Sequence, residues 1–332
     1  MPYSPTDTPR IDPAAALIFI INAASGSSAG EAKRAVIEDA LQAAGRQGEL
    51  RFAKPDELDR VAQQAAADAL ARRSAVVAVG GDGTINAVAQ AAHGAGCPMG
   101  VVPLGTFNYF ARTHGISTEP AEAAQMLMQA QPVPVQVGTV NDHVFLVNAS
   151  LGLYPDLLED RETYKSRFGR SRWVALGAAC MTLLRAHRQL RLQIDEGGVL
   201  REVRTPTLFV GNNRLQLEQV GLNLSDHPAR ALDDGRIAAV MLKPIGTLTM
   251  AWLMLRGAVG TLGEADSVES FAFQRMRVKP RLAYGRRTIK VAFDGEVTRM
   301  RTPLEFRVAA RPLYLLKPAP ASVVAAAQAA PA

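Results

Sequence analysis

Apolar runs and amphipathic stretches alternate through the first part of the chain. Ala15 to Ile21 is a continuous apolar run, short enough for a strand covered on both faces. From Glu31 to Ala44, the residues Val36, Ile37, Ala40, Leu41 and Ala44 recur at helical spacing, and Gly45 supplies a stop. Leu50 to Ala53 reads as a short strand and Asp56 to Arg72 as a helix. Ala75 to Val79 is a second buried strand, followed by Ile85, Val88, Ala89 and Ala92 on one helical face, with Thr84 the expected N-cap and Gly94 the expected stop. Gly100 to Val102 and Glu119 to Gln129 add one more strand and helix. Such alternation predicts a mostly parallel sheet with helices on both faces.

The texture changes near Val133. Short β-like runs follow, at Val135 to Val140, His143 to Val147, Leu190 to Ile194, Thr207 to Val210, Ile237 to Leu242, Thr288 to Phe293 and Leu304 to Val308. Turn pairs separate them, among them Asn141-Asp142, Gly197-Gly198 and Asp234-Gly235, which predicts an antiparallel sandwich-like domain. Two helical stretches, Ser171 to Arg188 and Thr247 to Leu262, interrupt it. The expected organisation is a three-layer α/β domain over 14–132, a β-sandwich-like domain over 133–317 with a cleft between the two, and a disordered Ala- and Pro-rich tail over 318–332.

Composition narrows the function classes. A chain of 332 residues with 48% hydrophobic and 20% charged positions suits two globular domains. No apolar run reaches bilayer-spanning length, and the run ending at Ile21 leads into a motif rather than a cleavage site. A cytoplasmic protein is therefore expected, peripheral at the inner face of the cell membrane. Cys97 and Cys180 have neither disulfide-framework nor metal-ligand spacing. A formal charge of +6 favours anionic partners such as nucleotides or acidic lipid. Nucleic acid is not expected, because no aromatic-interleaved basic motif, zinc spacing or helix-turn-helix is visible.

The candidate chemistry begins at Gly80-Gly81-Asp82-Gly83-Thr84, with Asn86 two residues on. Glycines there let the backbone approach a ligand, and the N-terminus of the following helix offers free N–H groups to an anion. Asp82 sits where a hard cation bound to phosphate would want an oxygen ligand; its rival role is to cap the helix. No Gly-x-x-x-x-Gly-Lys-[Ser/Thr] loop is present. Near the C-terminus, Asp294-Gly295-Glu296 places two acids across one glycine, either as a paired acid–base centre or as a simple hairpin turn.

These residues resemble the diacylglycerol kinase catalytic family, which includes diacylglycerol, sphingosine and bacterial lipid kinases. Five segments match in the family's order: Asn22-Ala23-Ala24-Ser25-Gly26, Gly80 to Asn86, Pro103-Leu104-Gly105-Thr106-Phe107-Asn108-Tyr109-Phe110-Ala111-Arg112, Leu232-Asp233-Asp234-Gly235, and Asp294-Gly295-Glu296. The resemblance implies an ATP- and Mg²⁺-dependent enzyme of lipid metabolism and phospholipid biosynthesis, passing the γ-phosphoryl group to a diacylglycerol- or sphingosine-like hydroxyl. It implies nucleotide contacts from Asn22, Ser25, Gly26, Gly80, Gly81, Asp82, Gly83, Thr84, Asn86, Gly105, Thr106 and Asn108, with Asp82 on the Mg²⁺. It implies Glu296 as general base, with Asp294 as its partner or substitute. A structural Mg²⁺ is implied at Asp234 with the main-chain carbonyls of Ala231 and Arg236. The partner implied is a lipid alcohol; peripheral contact with an anionic membrane and a homodimer are expected beside it.

Two departures stand out: Phe107 where many members carry Gly, and Tyr109 where many carry Asp. An NAD kinase-like nucleotide kinase shares the Gly-Gly-Asp-Gly loop, but it usually has an Asn-Glu pair where this chain has Asn108-Tyr109. The other alternative is a nucleotide-binding regulator without catalysis. For lipid access, the apolar segment opening at Arg170-Ser171-Arg172-Trp173 and closing at Arg188 has basic ends suited to an anionic surface. Packing on its own domain is the competing role for that segment.

Overall fold

The computed structural model describes residues 8–23, 27–156, 158, 189–212, 235–243, 268–282 and 287–318, and they form a mixed α/β protein with three six-stranded sheets. Two compact units divide the chain, residues 3–136 with 310–332 and, inserted between those pieces, 137–309. Ser25, Gly26, Cys180, Ala231, Asp233, Asp234, both helical stretches expected after residue 170 and the C-terminal tail lie outside the described residues.

In the first unit, β1 (Leu17–Asn22), β2 (Gly48–Ala53), β3 (Val76–Gly80) and β4 (Met99–Pro103) pair in parallel in the order β2-β1-β3-β4. Leu17 through Ile21 and Val76 through Val79 are buried on both faces, as their unbroken apolar runs require. On one face α1 (Ser27–Ala44) and α5 (Pro120–Met128) meet, packing Ile37, Leu41, Ala124 and Leu127 against Leu17, Phe19, Ile21 and Val77. On the other face α2 (Leu58–Ala71) lays a stripe of Ala62, Ala65, Ala66 and Ala69 beside α3 (Asp82–Ala95). The small side chains let these two helices lie close to the strands and to each other.

Two further strands complete this sheet. β5 (Ala130–Val135) pairs antiparallel with β18 (Leu313–Pro318), and β18 lies next to β4 in the order β4-β18-β5. Past the second unit the chain thus returns to its first sheet, with Leu313 and Leu315 fully buried. No apolar-run argument singled out this last strand.

The second unit carries two antiparallel sheets over one core. The first contains β6 (Gly138–Val140), β7 (His143–Phe145), β9 (Leu190–Glu196), β10 (Val199–Thr205), β14 (Arg275–Pro280) and β17 (Leu304–Val308), in the order β10-β9-β14-β17-β6-β7. The other contains β8 (Asn148–Gly152), β11 (Thr207–Gly211), β12 (Ile237–Leu242), β13 (Val268–Phe273), β15 (Thr288–Phe293) and β16 (Glu296–Arg301), in the order β13-β12-β11-β8-β15-β16. Ile194, Met276, Val278 and Phe306 from one sheet pack with Leu151, Val210, Ala239 and Val291 from the other. Gly152 is forced at its position: with φ near +88°, a Cβ there would lie 2.3 Å from the Pro206 carbonyl oxygen.

Candidate active site

The strand order β2-β1-β3-β4 reverses direction between β1 and β3, so the loops leaving these neighbours diverge. Open α/β sheets bind ligands outside the carboxyl ends of strands at such a reversal. Asn22 ends β1 there, and Gly80 ends β3. The expected loop residues therefore meet where the topology opens a crevice within the first unit.

Local chemistry shapes that loop. Gly81 is the N-cap of α3, in extended conformation and with no side chain capping the helix. Thr84, expected as the N-cap, lies inside the first turn, where its buried side chain packs over Gly80; a Cβ at Gly80 would come within 2.6 Å of Thr84 Oγ1. The stop falls at Gly96, with φ near +80°, rather than Gly94. Asp82 follows the N-cap as the acid of the first turn of α3. The leading N–H groups of α3 are left for a ligand. Asn22 Nδ2 donates to Thr84 Oγ1 (3.4 Å), tying the two strand ends together. Asn86, also buried, sits one residue beyond Ile85, whose N–H closes the first turn onto the Gly81 carbonyl.

A second glycine turn faces the first. The Leu104 N–H donates to the Gly80 carbonyl (2.8 Å), drawing the loop after β4 over the loop after β3. A Cβ added to Gly105 would stand 3.2 Å from the Gly81 Cα and 2.9 Å from Asn108 Oδ1. The two backbones therefore touch with no side chain between them. Thr106 is exposed in this loop. Asn108 is buried with φ near +49°; its Nδ2 donates to the Gly105 carbonyl (2.9 Å), while its Oδ1 has no partner. The left-handed turn at Asn108 puts its neighbours on one side, so Phe107 and Tyr109 stack at 5.7 Å with rings nearly parallel. Tyr109 opens α4 (Tyr109–Thr113), and Phe107 stays half exposed.

Asp82 is half-buried, and among the described residues its carboxylate meets neither a hydrogen-bond donor nor a basic side chain. Burial alone pushes its carboxyl above the usual carboxylate range. A desolvated, unneutralised carboxylate beside free helix N–H groups fits a hard cation bridging to phosphate. The glycine cradle that a Cβ would fill fits phosphate in the same way. No group of three or more His, Cys, Asp or Glu side chains gathers among the described residues. Lys33 is an addition from the structure: its Nζ donates to the Asn22 carbonyl (3.2 Å), bringing a cation to the end of β1. A lysine in the helix following the Asn22 loop was its only trace in the sequence.

The paired acids lie on the second unit, in different surroundings. Asp294 and Gly295 form the two-residue loop joining β15 to β16, both with positive φ (46° and 91°), the geometry that Asp-Gly hairpins favour. The Asp294 carboxylate turns back to accept three main-chain N–H bonds, from Leu146 (2.7 Å), Val147 (2.8 Å) and Asn148 (3.0 Å). The Asp294 N–H in turn donates to the Asn148 carbonyl (3.0 Å). Asp294 therefore fastens the start of β8. Glu296, the first residue of β16, is exposed.

Of the expected structural metal ligands, only Arg236 is described, exposed beside the buried Gly235. It lines a cavity of about 680 Å³ with Asp195, Glu196, Arg275 and Arg277. No residue expected to act in phosphoryl transfer borders that cavity.

Comparison with known proteins follows the same lines. The profile of the diacylglycerol kinase catalytic domain matches residues 16–140. A YegS-like probable lipid kinase of Pseudomonas aeruginosa (strain UCBPP-PA14) is 31% identical over 290 residues, covering 85% of this chain and 87% of that protein. A YegS-like relative from Pseudomonas putida is 36% identical over 129 residues, 38% of this chain and 43% of its own length. The crystal structure of a diacylglycerol kinase from Bacillus anthracis str. Sterne superposes with a TM-score of 0.64 at 18% identity, over 91% of this chain and 97% of that one. At that identity the last likeness speaks to fold alone.

Proposed function

The chain belongs to the diacylglycerol kinase catalytic-domain family of lipid kinases, and from that premise we propose that it transfers the γ-phosphoryl group of Mg²⁺-bound ATP to the hydroxyl of a diacylglycerol- or sphingosine-like lipid. The observation that carries this reading is the backbone contact of Gly81 with Gly105 at the N-terminus of α3, beside the unpartnered Asp82 carboxylate.

Each residue takes a stated part. The N–H groups of Gly81, Asp82, Gly83 and Thr84 hold phosphate oxygens, with Gly80 letting Thr84 pack close. Asn22, Asn86, Gly105, Thr106 and Asn108 complete the polar lining, and Lys33 adds positive charge; Ser25 and Gly26 belong to the same proposed set. Asp82 holds the metal, and bound Mg²⁺–ATP supplies an electrophilic phosphorus with its charge partly neutralised. Glu296 removes the proton from the acceptor hydroxyl as it attacks. Asp294 is a positioning residue, because its lone pairs are committed to Leu146, Val147 and Asn148. The structural Mg²⁺ at Asp234, with the carbonyls of Ala231 and Arg236, belongs to the same proposal, as does a cytoplasmic location.

The test is incubation with Mg²⁺, γ-labelled ATP and micellar lipids, with NAD as a control acceptor. Label in one lipid class is expected and names the acceptor. Label in NAD alone, or ATP bound without transfer to any acceptor, overturns the reading.

A further inference from the structure

The sheet β10-β9-β14-β17-β6-β7 has an outer face that the phosphoryl-transfer reading does not use. Along β14, Met276, Val278 and Pro280 point into the core while Arg275, Arg277 and Lys279 are exposed. Pairing extends this alternation across neighbouring strands. Leu200, Asp195, Arg277 and Glu305 form one row; Glu202, Gln193 and Lys279 form the next; Arg204 and Arg191 form a third. Arg275 stands opposite Arg307 on the far side of the first row. Six basic side chains thus share the face with three acidic ones.

The acids are largely spoken for. Glu202 pairs with Arg281 (2.6 Å) and Glu305 with Arg275 (2.9 Å). Asp195 accepts the N–H of Gly198 in the adjoining turn (3.0 Å). Arg191, Arg204, Arg277 and Lys279 are left in excess on one exposed surface. Just past the Gly197–Gly198 turn, Leu200 ends this face at 65% exposure, and Val199, on the opposite side of the strand at the same hairpin tip, is 69% exposed. Among the described residues they are the only large apolar side chains of the second unit so exposed.

We propose that this face, led by the Val199–Leu200 tip, docks the protein on an anionic lipid bilayer. A bilayer accepts both features at once: the apolar tip enters below the headgroups while the arginines and lysine meet lipid phosphates. Single-stranded nucleic acid would want aromatic rings among the cations, and the strand positions on this face hold none. The proposal rests on lipid-kinase membership only in that the acceptor lives in a membrane.

Co-sedimentation tests it with vesicles of phosphatidylcholine alone and of phosphatidylcholine mixed with phosphatidylglycerol. The wild-type protein is expected to pellet with the mixed vesicles, to stay in solution with the neutral ones, and to be released by salt. Each neutralised cation lowers partitioning about fivefold. The triple variant Arg191→Gln/Arg204→Gln/Lys279→Gln therefore loses about a hundredfold. Val199→Ser/Leu200→Ser loses at least roughly tenfold. All five side chains are exposed, so circular-dichroism melts of both variants should match the wild type. Equal binding to neutral vesicles, wild-type partitioning by the triple variant, or stronger capture by an RNA oligonucleotide than by the mixed vesicles overturns the proposal. A protein that partitions but phosphorylates no lipid sinks the kinase reading and leaves the docking face standing. One that phosphorylates a short-chain acceptor but does not partition does the reverse.

Discussion

Asp294 and Glu296 are two positions apart in different surroundings: Asp294 is half-buried and turned back onto the main chain, whereas Glu296 is exposed. Asp294 accepts three main-chain N–H bonds, and removing it strands those donors. Asp294→Ala should therefore cost about 3 kcal/mol in chemical denaturation. Glu296→Gln should leave stability within about 0.5 kcal/mol and lower turnover by about 10² to 10⁴. A Glu296→Gln enzyme with wild-type turnover would return the general-base role to an unidentified group. Asp82 makes a separate prediction through pH. Burial raises its carboxyl above the ordinary value near about 4. The folded state thus holds its proton more tightly than the unfolded chain, and stability present at acid pH is lost as pH rises through the raised value. Asp82→Asn removes that loss. Without metal it should melt above wild type at neutral pH, with the gap closing at acid pH. Mg²⁺ should raise the melting temperature of wild type more than that of the variant, which keeps only the proposed site at Asp234. An asparagine variant that melts lower at neutral pH would rule out an uncompensated carboxylate.

At the scale of elements, the two glycine turns act through the absence of side chains. Gly105→Ala forces its Cβ toward the Gly81 Cα and Asn108 Oδ1, at 3.2 and 2.9 Å, and must spread the turns. It should weaken ATP binding tenfold or more in calorimetry, for a stability loss of about 1–3 kcal/mol. Gly81→Ala, whose Cβ would find its nearest neighbour at 3.7 Å, should fold normally. Strands with strong apolar character were legible from sequence: β12, β15 and β17 begin and end where their runs do. β14 and β16 were not, because Arg275-Met276-Arg277-Val278-Lys279 and Glu296-Val297-Thr298-Arg299-Met300 spend alternate positions on solvent and show no run. The glycine turn between β3 and α3 was legible because its glycines are contiguous. Its closure by Gly105 needed β4 beside β3, and the Asp294 clamp needed partners 146 to 148 positions away. Spacing along the chain carries no trace of either.

At the scale of the molecule, residues 137–309 are an insertion between β5 and β18, which are themselves antiparallel neighbours. Ala309 donates its N–H to the Val137 carbonyl (3.0 Å), so the two ends of the inserted unit meet. A fragment spanning 137–309 should therefore fold alone, seen as a cooperative melt, whereas 1–136 should not, since it lacks β18 from the interior of its sheet. A cooperative transition in the 1–136 fragment would show that strand to be dispensable. The same connectivity sets an order of events during synthesis. β4 is made well before its partner β18, with the whole of the inserted unit between them. Until then the sheet presents the backbone edge of β4 unpaired, the kind of edge that recruits strands from other chains. The nascent chain thus carries its glycine-rich turn before it can close the sheet that supports it, and until β18 is made that edge has to be shielded by something other than its native partner.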